Sequence, residues 1–65
     1  MVITVMENKI YGESGYVWLT SKDKRFSEAW GGSNRVTKAN LFTCMKELAS
    51  WVNNELNEEA IFEVE

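Results

Sequence analysis

The feature that most constrains the fold is a series of apolar residues at helical spacing in the second half of the chain. These residues recur every three or four positions and are Leu41, Met45, Leu48, Val52 and Leu56. At 100° per residue they form one stripe of an α-helix, and polar residues occupy the opposite side. Thr37 is a suitable N-cap residue. The sequence therefore predicts an amphipathic helix over residues 37–57, which needs an apolar surface to pack against.

Four other segments have the composition or the alternation of β-strands. Residues 2–6 are rich in β-branched side chains, and residues 16–20, 25–30 and 60–65 alternate between two faces. In the second of these segments, Val17 and Leu19 fall on one face and Tyr16, Trp18 and Thr20 on the other. Residues 12–15 and 31–34 contain all four glycines and are predicted to be turns or breaks.

These elements together predict the fold class. We expect an α+β protein in which a small antiparallel or mixed sheet of three to four strands carries one long amphipathic helix on one face, in the order βββαβ. Residues 25–30 are expected to form a hairpin with residues 16–20. With 65 residues, the chain is long enough for a single domain, residues 1–65, with a small core.

Composition excludes several kinds of site. Cys44 is the only cysteine and histidine is absent, so neither a disulfide scaffold nor an ordinary zinc site is expected. No cofactor or metal is predicted. No apolar run approaches the roughly 20 residues that span a bilayer, and residues 2–6 are too short for a signal sequence. We expect a cytoplasmic location, which would be the cytoplasm of the host cell if the protein is phage-encoded.

The sequence also lacks a recognisable catalytic set. A nucleophile needs a base within reach, and histidine, the usual base, does not occur. Cys44 lies beside the apolar stripe, where burial makes a thiol unreactive. Ten carboxylates are present, but no motif pairs two of them across a substrate, and neither glycine-containing turn has phosphate-loop spacing. The chain is therefore expected not to be an enzyme.

Charge favours a protein partner over nucleic acid. The formal net charge is −3 with a pI of about 4.9, whereas nucleic-acid binding requires cations that displace phosphate counterions. The basic residues expected at the hairpin tip and the helix entrance are Lys22, Lys24, Arg25, Arg35 and Lys38. Lysines at such a tip usually protect sheet edges from association.

Acidic residues are concentrated near the end of the sequence. The last eleven residues contain Glu55, Glu58, Glu59, Glu63 and Glu65. This set is either a solvated tail or a surface that engages a basic site on a protein partner. Tyr16 and Trp18 are candidates for exposed interface aromatics, because a single helix covers only one face of a sheet. The same face could instead mediate formation of a homodimer.

Several local strings resemble the first half of the ribonuclease H-like fold. The strings are Gly15-Tyr16, Arg25-Phe26-Ser27 before Trp30, and Lys38-Ala39-Asn40-Leu41, within residues 16–64. The resemblance implies three antiparallel strands, a helix and then a parallel strand. Asn40 stands where that family has a catalytic glutamate, and the other metal-binding aspartates have no counterpart. The resemblance therefore implies this topology without two-metal cleavage.

In general character, a short, acidic chain without motifs is similar to phage and mobile-element inhibitors such as the anti-CRISPR proteins. That similarity implies a carboxylate-rich surface that blocks a nucleic-acid groove on a host protein. Our leading hypothesis is a non-enzymatic, phage-type inhibitor of host defence that acts as a nucleic-acid mimic. The alternatives are a structural or self-assembling homodimer and a degenerate ribonuclease H-like nucleic-acid binder without activity.

Overall fold

The computed structural model describes residues 1–7 and 15–65. The elements in these residues are β1 (Val2–Glu7), β2 (Tyr16–Thr20), α1 (Lys24–Trp30), β3 (Asn34–Thr37), a 3-10 turn (Lys38–Asn40), α2 (Leu41–Leu56) and β4 (Ile61–Val64). The predicted turn at residues 12–15 lies outside the described residues except for Gly15. The prediction of an α+β fold with a small mixed sheet and a long helix is confirmed.

The four strands form a single sheet in the order β3-β2-β1-β4. β2 is antiparallel to both β1 and β3, whereas β4 is parallel to β1. The register places Trp18 opposite Met6 on one side and opposite Arg35 on the other. Residues paired in this way share a face of the sheet, so the register decides which side chains lie together.

The core lies on one face of the sheet. Strands β1 and β2 contribute Ile3, Val5, Val17 and Leu19 at alternate positions, and all four are buried. The helices contribute Phe26, Leu48 and Val52 to the same cluster. Of the stripe predicted on the long helix, Leu48 and Val52 are thus buried, while its remaining residues are half-buried.

The prediction of a strand at residues 25–30 is wrong, because this segment forms helix α1. Phe26 and Trp30 are four residues apart, a spacing that fits one face of either a strand or a helix. A strand would also have placed Glu28 on that buried face, whereas in α1 it is exposed. The Asp23 side chain caps the helix by accepting a hydrogen bond from the Arg25 N–H at 2.9 Å. Gly31 ends it in the left-handed conformation, with φ 77°.

Helix α2 begins later than predicted. Thr37 is the last residue of β3, and its side chain makes no capping hydrogen bond to the 3-10 turn that follows. The α-helix starts at Leu41 and ends at Leu56, where Asn57 adopts a left-handed conformation with φ 53°. β3 was not predicted as a strand, because Asn34 was assigned to a break and the strand is only four residues long. The predicted order βββαβ therefore omits α1 and misplaces the third strand.

Candidate protein-binding surface

The second face of the sheet, called the outer face below, lies opposite the core. The strand registers assign to it Val2, Thr4, Met6, Tyr16, Trp18, Thr20, Arg35, Thr37, Ile61 and Glu63. This face is more exposed than the core face, since Val2 is 44% exposed and Ile61 53%. It carries aromatic, aliphatic and charged groups side by side, which is the composition typical of a protein interface.

Aromatic residues occupy the β2 part of the outer face. Tyr16 and Trp18 are both half-buried, and the Arg35 guanidinium carbon lies 4.6 Å from the centre of the Tyr16 ring. This distance is within the range of a cation–π interaction. Trp18 lies in one cross-strand row between Met6 and Arg35. The structure therefore brings the two aromatics predicted at this site together and adds Met6, together with Arg35, which was expected at the helix entrance and not on this face.

The sequence alone could not have found these additional residues. Arg35 joins Tyr16 and Trp18 only because β3 pairs with β2, whereas the sequence placed Asn34 in a break, Arg35 at the helix entrance and Thr37 at the helix N-cap. Met6 was assigned to a strand, but its face depends on the antiparallel register with β2. Period-two alternation assigns relative faces within one strand, while strand pairing assigns them between strands.

The five predicted acidic residues do not form one patch. Glu63 lies on the outer face, and it lines a groove of about 530 Å³ together with Glu65. The same groove is lined by Val2, Thr4 and Met6 of β1 and by Thr20, Ser21, Lys22 and Asp23.

The remaining three lie elsewhere. Glu55 is exposed on α2, and Glu58 and Glu59 lie in the connection between α2 and β4. Only Glu63 and Glu65 are thus positioned to act together with the outer face.

Glu58 is engaged in ion pairs within the chain. The Arg25 guanidinium donates to the two Glu58 carboxylate oxygens at 2.6 and 3.1 Å. It also donates to the two Asp23 oxygens, at 3.0 and 2.8 Å. The Met1 amino group lies 3.4 Å from Glu58 Oε1. These contacts connect the start of α1 to the segment between α2 and β4.

This network shifts the pKa values of its members. The hydrogen bonds from Arg25 lower the pKa of Asp23 from 3.8 to about 2, and the hydrogen bond from Arg25 also lowers the pKa of Glu58. The hydrogen bonds to Asp23 and Glu58 raise the pKa of Arg25 above its ordinary value. Each group stabilises the charged form of its neighbour, so Glu58 stays ionised, and its negative charge is already paired with Arg25 and the Met1 amino group. Asp23 at a helix N-cap position is a sequence signal for the start of α1, but it does not indicate the pairing of Arg25 with Glu58.

The five basic residues are dispersed rather than gathered at a hairpin tip. Lys22 lies in the loop after β2, Lys24 and Arg25 begin α1, Arg35 lies in β3 and Lys38 in the 3-10 turn. The predicted tip does not exist, because residues 25–30 are helical. The Arg25 guanidinium forms ion pairs with the carboxylates of Asp23 and Glu58. Lys22, Lys24 and Arg25 thus stay within four consecutive positions, while Arg35 and Lys38 lie in other elements.

The Cys44 thiol and the possible metal ligands were the other chemical groups considered from the sequence. Cys44 is half-buried, and burial raises the pKa of its thiol, with a smaller contribution from the Glu47 carboxylate. Within residues 1–7 and 15–65, no group of three or more potential ligands is close enough to hold a metal ion. In the same residues, no helix has the length and apolar character needed to cross a membrane.

Comparison with known proteins gives no relative from which a function could be transferred. No protein-family model matches the chain, and neither the curated proteins nor the solved structures contain a significant match.

Proposed function

We propose that this protein is a non-enzymatic binding module whose outer face engages a basic surface on another protein. The observation that carries the proposal is the position of Glu63 and Glu65 beside the groove of the outer face. Tyr16 and Trp18 lie on the same face. Aromatic side chains supply contact area, and carboxylates supply orientation and a faster encounter with a basic partner.

The charge of the whole chain supports a basic partner. The net charge is −3, and within the fold the Arg25 guanidinium and the Met1 amino group balance the carboxylates of Asp23 and Glu58. The carboxylates left for a partner include Glu63 in β4 and Glu65 directly after it, both exposed. A long-range acidic field of this kind increases association rates with basic proteins and weakens as salt is added.

Among basic partners, we favour a protein whose groove normally holds nucleic acid. Carboxylates on a small, folded scaffold can occupy such a groove in place of phosphates. The protein would then act as a phage-type inhibitor of host defence, of the anti-CRISPR kind, in the cytoplasm of the host. The neighbouring carboxylates of Glu63 and Glu65 in the groove support this role, in which no catalytic step is required.

The proposal predicts that charge reversal at the outer face slows binding. The partner would first be captured from the native host lysate, identified and purified. Glu63→Lys/Glu65→Lys should then lower the association rate at low salt by about tenfold or more, and the difference from the wild type should shrink in high salt. Surface-based kinetics with the purified partner measures both effects.

A matched control carries the same change of charge elsewhere. Glu28 on α1 and Glu47 on α2 are both exposed, so Glu28→Lys/Glu47→Lys alters the net charge equally without touching the outer face. Glu58→Lys is unsuitable, because it would break the pairing with Arg25. Equal association rates for the two double variants would rule out a role for the outer-face carboxylates.

Exposed apolar residues favour a homodimer as the second candidate. Val2 and Ile61 are opposite each other in the β1–β4 register and are 44% and 53% exposed. A second copy would bury them, and a small domain gains stability from such burial. Sedimentation equilibrium over a wide concentration range separates the two candidates, since a strict monomer excludes the dimer.

The parallel pairing of β4 with β1 supports, as a further alternative, a degenerate ribonuclease H-like nucleic-acid binder. The dispersed basic residues argue against it. A steep, salt-dependent gel shift with single- or double-stranded nucleic acid would favour this alternative over the other two.

A further inference from the structure

We propose that the basic partner adds an extended segment to the sheet as a fifth strand along β4. This inference rests on the proposed function, from which it takes the charge of the partner, and it specifies how that partner is held. Within residues 1–7 and 15–65, β4 is the last strand in the order β3-β2-β1-β4, and there it is paired on one side only, with β1. Strand addition at such an edge is a common mode of peptide recognition.

The backbone hydrogen bonds show which groups of β4 point toward the edge. The Ile61 N–H donates to the Met1 carbonyl at 2.8 Å, and the Glu65 N–H donates to the Val5 carbonyl at 2.9 Å. Backbone groups of successive residues point to opposite sides of a strand. Those of Phe62 and Val64 therefore point away from β1, where an added strand could exchange hydrogen bonds with them.

The side chains of β4 expose apolar groups at this edge. Val64 is 73% exposed and Ile61 53%, and β4 contains neither proline nor lysine. Natural edge strands are usually protected by short length, charged side chains, proline, bulges or a covering element. β4 is four residues long and contains Glu63, so its edge disfavours an acidic strand and favours a basic one. An added strand would cover Val64 on the core-facing side of the sheet.

Charge determines which strand fits the edge. Glu63 lies on the outer face, and Glu65 lines its groove. Pairing β4 with β4 of a second copy would place the glutamates of both copies on neighbouring strands, and like charges in cross-strand positions are destabilising. A basic segment would instead place lysine or arginine beside Glu63 on the outer face. The same segment would need apolar residues at the alternate positions, beside Val64.

The probe for this test is a blocked six-residue peptide in which lysine and valine alternate. Its control has the same composition arranged as three lysines followed by three valines. The alternating peptide should bind about tenfold more tightly than the block peptide. Only alternation places lysines beside Glu63 on one face of the sheet and valines beside Val64 on the other. Equal affinities for the two peptides would overturn the inference.

Amide hydrogen exchange followed by NMR locates the bound peptide. With the alternating peptide, the amides of Phe62 and Val64 should become protected from exchange, while the amides of Ile61 and Glu63 should change little. Binding without protection of Phe62 and Val64 would place the peptide elsewhere and overturn strand addition. Protection of these two amides by a rise in protein concentration alone would show that a second copy occupies the edge, which would also overturn it.

A pair of variants at Val64 tests the hydrogen bond from its N–H. Val64→Pro removes the outward N–H from an exposed edge position, where proline is tolerated, and should weaken binding about tenfold. Val64→Thr keeps the N–H and should bind within about twofold of the wild type. Equal binding by the proline variant would contradict the inference.

The proposed function can fail separately. It falls if Glu63→Lys/Glu65→Lys leaves partner association unchanged, whereas strand addition alone falls if those glutamates matter and Val64→Pro does not.

Discussion

At Trp30, favourable packing of the ring is opposed by the burial of its polar indole N–H. Its ring meets that of Trp51 edge to face, with centroids 5.8 Å apart and planes at 79°. Its indole N–H is buried and has no hydrogen-bond partner among the described residues. The ring stabilises the core through contact, while the unpaired N–H opposes burial.

Substitutions at Trp30 should separate these two contributions. Trp30→Phe keeps an aromatic ring against Trp51 and removes the buried N–H, so it should lower the free energy of unfolding by less than about 1.5 kcal/mol. Trp30→Ala removes both and should cost about 2–4 kcal/mol. Urea denaturation monitored by circular dichroism measures both values. A similar cost for the two variants would mean that the N–H contributes to stability.

At the scale of elements, the sequence predicted best where many residues repeat one period. The stripe of α2 extends over four turns, and the core alternation of β2 was correct at every position. α1 was misassigned because two apolar residues four apart satisfy both periods, and β3 was missed because four residues carry too little pattern. Capping by Asp23 and Gly31 decides that α1 is a helix. Pairing with β2 decides that β3 is a strand.

The candidate site was predictable in part for the same reason. Tyr16 and Trp18 share a face by alternation within a single strand. The division of the acidic residues depends on Arg25, which binds Glu58 across 33 positions of sequence. No periodicity in the sequence indicates that contact, so the acidic region was expected to be one surface.

The C-cap of α1, Gly31, allows a test of whether this segment is helical. Gly31 has φ 77°, and its N–H donates to the Ser27 carbonyl at 2.9 Å. A Cβ at this position would meet nothing within 4 Å, so the cost of Gly31→Ala comes from backbone conformation alone. We expect a loss of about 1–2 kcal/mol in the free energy of unfolding.

Gly31→Asn is the matched variant, because asparagine tolerates the left-handed conformation better than alanine. It should cost less than Gly31→Ala in the same urea titration. If both variants matched the wild type, the segment before Gly31 would not end as a capped helix, and the strand prediction for residues 25–30 would regain support.

At the scale of the whole molecule, the Asp23–Arg25–Glu58 network connects segments distant in sequence. It also makes the free energy of unfolding depend on pH in the acidic range. The pKa of Asp23 is about 2 in the fold, compared with 3.8 for an unperturbed group, and that of Glu58 is also lowered. When the folded pKa is lowered, the unfolded state binds more protons at intermediate pH. The stabilisation by Asp23 is therefore complete above its unfolded pKa and is lost as pH falls from about 4 to about 2.

Removal of the two negative charges should flatten this acid dependence. Asp23→Asn/Glu58→Gln keeps similar shapes, and asparagine can still cap α1, so the double variant isolates the loss of charge. It should be less stable than the wild type near neutral pH, and the two urea midpoints should converge as pH falls toward about 2. Glu55→Gln, at an exposed position of α2, controls for the removal of a carboxylate outside the network. Parallel pH profiles for the wild type and the double variant would show that these ion pairs do not connect α1 to the α2–β4 segment in solution.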